Sequence, residues 1–267
     1  MAASENPRPA ALVTGASGGI GLELARLFAR DGHDLILVAR GQDRLAAIAQ
    51  ELEEEHGVQA GVLAADLADP ATPAAIHDEL EREGVAIDAL VNNAGFGLCG
   101  GFAELDERAQ MEMLQVNVIA LTQLTRLFLP AMLERGAGGI LNVASTAAFQ
   151  PGPFMAVYYA SKAYVLSFSE ALWSELEGTG VSVTALCPGP TATGFQSRAG
   201  IEKSRLVRSL RPMDAAGVAR EGYKAFRGGR RVALPGFMNR LLAGTVGLVP
   251  GGLVLRAVRS LNSQAPE

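Results

Sequence analysis

Histidine, lysine and cysteine are scarce in this 267-residue chain, with three, three and two copies. Each shortage excludes a chemistry. Cys99 and Cys187 lie far apart without ligand spacing, which argues against a disulfide framework and for a reduced, cytoplasmic protein. His33, His56 and His77 fall at helix ends or in helical stretches, away from Ser145 and the other motif residues, so neither a Ser-His-Asp centre nor a metal site is expected. The N-terminal MAASENPRPA lacks a basic region followed by an apolar run, and residues 1–9 read as a flexible lead. The uncharged LLAGTVGLVPGGLVL (241–255) falls short of the ~20 residues that span a bilayer and is broken by Pro250, Gly251 and Gly252. It reads as a terminal helix packed on the domain or on a partner subunit, with a monotopic membrane contact as the lesser reading.

Charge is unevenly placed. Residues 1–195 hold 10 Lys/Arg against 24 Asp/Glu, whereas residues 196–267 hold 13 against 4. The basic end, with Arg205, Arg208 and Arg211, reads either as a solvated helix face or as a rim for an anionic substrate or headgroup. Its dispersed charges and few aromatics argue against nucleic acid.

Glycine, at 31 residues, and apolar residues, at 49%, are plentiful. Seven apolar runs read as strands: 11–15, 34–40, 58–66, 88–95, 138–145, 181–189 and 230–236. Most of the intervening segments have helical periodicity, as at 22–32 and 44–57. Because the strands are nearly continuous in apolar residues, the sheet is expected to be parallel and buried on both faces. The predicted fold is α/β: one doubly wound domain over 10–267, with about seven parallel strands and helices on both faces. Within it, 190–230 is expected to form substrate loops and helices, and 236–267 a basic and apolar extension.

The first strand runs through TGASGGIG (14–21) straight into a helix. Glycines 15, 18, 19 and 21, with Ser17 and Ile20, predict a tight turn whose backbone N–H groups approach a diphosphate at a helix N-terminus. A carboxylate about 20 residues later would bind the ribose hydroxyls of NAD. Here the second strand ends in Ala39-Arg40, with no acid before Asp43, so NADP(H) is expected in preference to NAD(H). Arg40 alone would also suit an exposed helix start. Asp66-Leu67, after the third strand, could meet the adenine, although Asp66 would equally suit a helix cap.

Taken in order, TGASGGIG, Asp66, NNAG (92–95), Asn117, Ser145 and Tyr158-x-x-x-Lys162 resemble the short-chain dehydrogenase/reductase family over about residues 10–235. The resemblance implies a Rossmann-type oxidoreductase acting on CH–OH and C=O groups. It makes Tyr158 the general acid or base, Lys162 its cationic neighbour and ribose ligand, Ser145 the hydrogen-bond donor to the substrate oxygen, and Asn117 the support of a water chain reaching Lys162. Tyr159 and Tyr164 have Ala163 and Phe168 at i+4 instead of a lysine, and are read as packing residues. Asn117 stands in a helical stretch, where a buried amide bonded to backbone is the competing account. Asn93, Ala94 and Gly95 would line the cofactor while Asn92 braces the strand, and Pro188, Gly189, Thr191 and Thr193 would face the nicotinamide carboxamide.

Phe96, Leu98, Cys99, Phe149, Phe154, Met155 and Phe195 are expected to line a pocket for an apolar ketone, steroid-like or ketoacyl substrate. Two other functions stay open: a same-fold epimerase or dehydratase, and a non-enzymatic NADP-binding regulator. A homodimer or homotetramer is expected from the resemblance.

Overall fold

The computed structural model describes residues 8–200 and 212–263, so Arg205, Arg208 and Arg211 lie outside the described residues. All seven apolar runs become strands of one parallel sheet: β1 (Ala10–Thr14), β2 (Asp34–Ala39), β3 (Ala60–Ala64), β4 (Ile87–Asn92), β5 (Gly138–Val143), β6 (Val181–Leu186) and β7 (Val232–Ala233). Their order is β3-β2-β1-β4-β5-β6-β7. The chain reverses direction of travel between β1 and β4, which opens a crevice at the carboxyl edge. Most strands stop before their sequence pattern does. Gly15, Arg40, Asp66, Asn93–Gly95, Ser145 and Pro188–Gly189 lie past the last paired residues and form the loops around that crevice.

The helices are α1 (Gly19–Arg30), α2 (Gln42–His56), α3 (Thr72–Glu83), α4 (Glu107–Leu114), α5 (Leu121–Arg135), α6 (Ala156–Glu175), α7 (Phe195–Ala199), α8 (Ala215–Arg227), α9 (Phe237–Thr245) and α10 (Gly251–Asn262). Leu24 and Phe28 of α1, Leu45 and Ile48 of α2, and Val218 and Phe226 of α8 cover one face of the sheet. Ile76 and Leu80 of α3, with Leu124, Phe128 and Met132 of α5, cover the other. Phe28 is fully buried, with edge-on contacts to Tyr223 at 4.8 Å and Phe226 at 5.5 Å. Removing such a ring from water contributes about 1.5–3 kcal/mol.

Two expectations change. Among the described residues of 190–230, those that line the crevice fall between Pro190 and Gln196, whereas α8 packs on α1, where the Tyr223 hydroxyl donates to Asp31 at 2.7 Å. Its apolar stripe of Val218, Ala219, Tyr223 and Phe226 is a core face. The apolar tail is a helical hairpin: α9, a short 3₁₀ turn (Val246–Leu248), and α10 beginning after Pro250.

Candidate active site

The TGASGGIG loop turns β1 into α1 with Gly18 as the residue before the helix and no side-chain cap. The first-turn N–H groups of α1 therefore lack an intramolecular side-chain acceptor, and Gly18, Gly19 and Ile20 line a cavity of about 990 Å³. Gly19 has φ +58°, a conformation that favours glycine, and a Cβ there would stand 2.9 Å from Thr193 Cγ2. Over Gly18 nothing lies within 4 Å. Gly21 behaves differently. It does not line the cavity; a Cβ on it would come within 2.5 Å of the Gly15 carbonyl, so its role is close packing under the loop.

Thr14 ties this loop to the next. Its hydroxyl accepts from the N–H groups of Asn93 and Ala94, each at 3.0 Å, and donates to the Val91 carbonyl at 3.1 Å. Asn93 in turn donates its amide to the Thr14 carbonyl at 2.9 Å. Asn92 is buried and donates to Asn142 at 2.9 Å and Thr125 at 3.2 Å, bracing the sheet from within. Arg40 and Arg44 both line the cavity beside Ser17, and Arg44 donates to the Ser17 carbonyl at 3.4 Å. An uncapped helix N-terminus, an open glycine floor and two guanidiniums are a donor set that fits the phosphates of a dinucleotide. Asp66 also lines the cavity, but its carboxylate accepts from Ala68 N at 3.0 Å, two residues on, and α3 begins only at Thr72. It closes a turn and does not cap the helix.

Midway along the cavity stand Ser145, Tyr158 and Lys162. Ser145 follows β5 in extended backbone and caps a 3₁₀ turn, its hydroxyl accepting from Ala147 N at 3.1 Å. Tyr158 and Lys162 sit one turn apart on α6, and both are buried. The Lys162 ammonium donates to the Val143 carbonyl at 2.8 Å and lies 5.9 Å from the centre of the Tyr158 ring. Burial lowers the Lys162 pKa to about 8. Burial also pushes the Tyr158 phenol up to about 12, against the opposing hydrogen bond of the Ser145 hydroxyl. The phenol is thus held in its protonated form. Asn117 stands behind this group. Its amide accepts from Phe96 N at 3.1 Å and donates to Phe96 O at 2.9 Å and Ser161 Oγ at 3.1 Å. The helical stretch that made Asn117 look costly is a π turn (Gln115–Ala120), the kind of irregular helix that often marks a functional site.

Pro188, Gly189, Thr191 and Thr193 also line the cavity, with Thr193 standing directly against Gly19 of the glycine loop. Beyond Tyr158 the walls turn apolar, with Phe96, Leu98, Met155 and Phe195 as expected. Three expected members fall elsewhere: Phe149 packs beside Val165 and Leu166, Cys99 lies against α10, and Phe154 lies under the Arg259 guanidinium at 4.9 Å. Their places are taken by Tyr159, Leu242, Val258 and Leu261.

A family model described as short chain dehydrogenase matches residues 9–203. The chain belongs to the short-chain dehydrogenase/reductase family. This short-chain dehydrogenase is similar to ketoacyl reductase HetN of Nostoc sp., with 33% identity over 214 residues covering 80% of this chain and 74% of the relative. Among solved structures it is similar to the short-chain dehydrogenase from Sphingobium yanoikuyae in complex with NADPH, with TM-score 0.80 and 37% identity over 90% of this chain and 94% of that one. It is also similar to the bulky-bulky ketone specific alcohol dehydrogenase from Comamonas testosteroni, with TM-score 0.76 and 32% identity over 91% and 94%. The family and these relatives make it an NAD(P)-dependent oxidoreductase acting on CH–OH or C=O groups.

The sequence reading of this short-chain dehydrogenase missed Thr14, Arg44 and the wall made by α9 and α10. Thr14 and Arg44 had a signal, since one opens the glycine motif and the other follows Arg40 by one helical turn. The α9–α10 wall had none: only the return of the chain over the sheet edge brings Val258 and Leu261 to Tyr159.

Proposed function

We propose that this enzyme uses NADPH in preference to NADH to reduce an apolar ketone, of steroid-like or ketoacyl type. The observation that carries this is the position of Ser145, Tyr158 and Lys162 at the junction between a phosphate-fitting cradle and an apolar chamber. Arg40 and Arg44, with no carboxylate at the end of β2, support the NADPH preference.

Gly18, Gly19, Arg40 and Arg44 would hold the phosphates of the dinucleotide, whose nicotinamide would supply the hydride. Tyr158 then gives its hydroxyl proton to the carbonyl oxygen as the carbon is reduced, and a phenol is a stronger acid than the alcohol it creates. Ser145 donates a hydrogen bond to the same oxygen and stabilises its developing charge. The Lys162 ammonium favours the phenolate that remains, and Asn117 holds the Phe96 backbone across from it. In the oxidative direction the phenolate removes the alcohol proton. Two free cysteines fit a reduced, cytoplasmic setting, and a homodimer or homotetramer is proposed, which light scattering would measure.

The test is a panel of carbonyl compounds followed by NADPH absorbance and repeated with NADH. Stoichiometric NADPH oxidation with bulky apolar ketones is expected. Turnover without net NADPH consumption would instead favour an epimerase or dehydratase, and no turnover of any carbonyl would favour a nucleotide-binding regulator.

A further inference from the structure

We propose that the α9–α10 hairpin is a docking surface for an anionic lipid membrane, seated so that the apolar chamber opens toward the lipid. The inference deepens the reading of that chamber as a site for apolar carbonyl compounds. Among the described residues fourteen large hydrophobic side chains are exposed, and nine of them lie between Phe237 and Leu261. Leu248 at the turn is 84% exposed and Phe237 at the start of α9 is 77% exposed, so both side chains project into solvent.

The inner face of the hairpin accounts for its anchorage. Asn239 donates to the Pro235 carbonyl at 2.7 Å, while Asn262 donates to the Pro153 carbonyl at 2.9 Å and accepts from the Tyr159 hydroxyl at 3.3 Å. With those polar contacts turned inward, the outer face is left with Phe237, Met238, Leu248, Val249, Leu253 and Leu255. Leu242 and Leu261 are both exposed and part of the cavity wall, so the outer apolar face continues into the chamber.

Charge selects the occupant. Residues 236–263 contain Arg240, Arg256 and Arg259 and no Asp or Glu; Arg240 pairs with Glu221 of α8 at 2.9 Å, which leaves Arg256 and Arg259 without a carboxylate partner among the described residues, whereas residues 1–195 hold 24 acidic against 10 basic side chains. An anionic surface therefore attracts this end and repels the body, which fixes an orientation as well as a contact. A twofold contact between two copies would bring each arginine set against its own duplicate with no acid in the segment to pair it. Projecting side chains on a protein partner would each need a matching pocket, whereas acyl chains accommodate them without one.

The test is co-sedimentation of the full chain with vesicles of phosphatidylcholine alone and of phosphatidylcholine with phosphatidylglycerol, at physiological salt. Binding is expected on the anionic vesicles and much less on the neutral ones. The double substitution Phe237→Glu/Leu248→Glu, and separately Arg256→Glu, should each weaken binding by about tenfold or more. Circular dichroism and NADPH binding of the variants should match the wild type. Failure of the wild type to bind anionic vesicles, or undiminished binding by the double variant, overturns the proposal. So does light scattering that finds a wild-type dimer which the double variant dissociates. Vesicle binding is read without turnover; if it holds while the carbonyl panel fails, the docking surface stands and the substrate reading falls.

Discussion

At the α1 end of the cavity the walls are backbone, supplied by the glycine loop and the chain after β4; at the α10 end they are side chains, drawn from Leu98, Met155, Tyr159, Phe195, Val258 and Leu261. Of Gly18, Gly19 and Gly21 only Gly18 stands open; at the other two the glycine end has no room to change, because a Cβ on either would collide with atoms less than 3 Å away. It is suited to a group that is the same in every turnover. The α10 end can be reshaped one side chain at a time, and it joins the surface through Leu242 and Leu261. Between the two stands Tyr158, the residue that both ends serve.

The sharpest break in that arrangement is Tyr158→Phe, which keeps the ring and removes the proton donor. Turnover should fall by about 10³-fold or more while NADPH binding, measured by fluorescence, stays near the wild-type value. Next comes the rim of the glycine end. Arg40→Ala/Arg44→Ala should weaken NADPH by roughly 100-fold and NADH only slightly, as loss of charge-assisted hydrogen bonds to one phosphate requires; equal losses for the two would remove the arginines from that role.

A pH profile tests the junction itself. Lys162 carries its charge below about 8 and loses it above. Tyr158 stays protonated until about 12. For ketone reduction, kcat/KM should therefore be level below pH 8 and fall about tenfold per pH unit beyond it. A profile that stays level to pH 10 would detach Lys162 from the proton transfer.

Two glycines then separate packing from recognition. Gly21→Ala should lower the melting temperature through overpacking of about 1–3 kcal/mol, while Gly18→Ala, which meets no atom within 4 Å, should leave melting unchanged and weaken NADPH. The smallest effect belongs to the other end. Asn262→Ala, by releasing α10 from Tyr159 and Pro153, should raise KM for bulky ketones a few-fold and leave NADPH affinity alone.

Much of this was legible before the fold was known. Strands buried on both faces must be apolar throughout, so the central strands appeared as runs in the sequence, and the edge strand β3, whose residues are only half-buried or exposed, appeared as a run as well; the ends were overread because Gly15, Asp66 and Ser145 continue the pattern after pairing has stopped. The three tyrosines at 158–164 also divide as lysine spacing divided them. Tyr158 lies beside Lys162, while Tyr164 stacks on Phe168 at 5.7 Å. Tyr159 does more than pack, since its hydroxyl donates to Asn262, a partner 103 positions away that no local spacing announces.

The sequence by itself determined the sheet, the glycine loop, the arginine after β2 and the order of Asn117, Ser145, Tyr158 and Lys162. Those features are local, because each depends on a few residues whose spacing sets a turn or a helix face. Tertiary structure decided which of the apolar residues wall the chamber, why Gly21 packs while Gly18 lies open, and which face of the terminal hairpin meets solvent. These outcomes depend on distant segments meeting at the sheet edge, and burial there is settled by what arrives opposite a side chain, not by its neighbours in the chain.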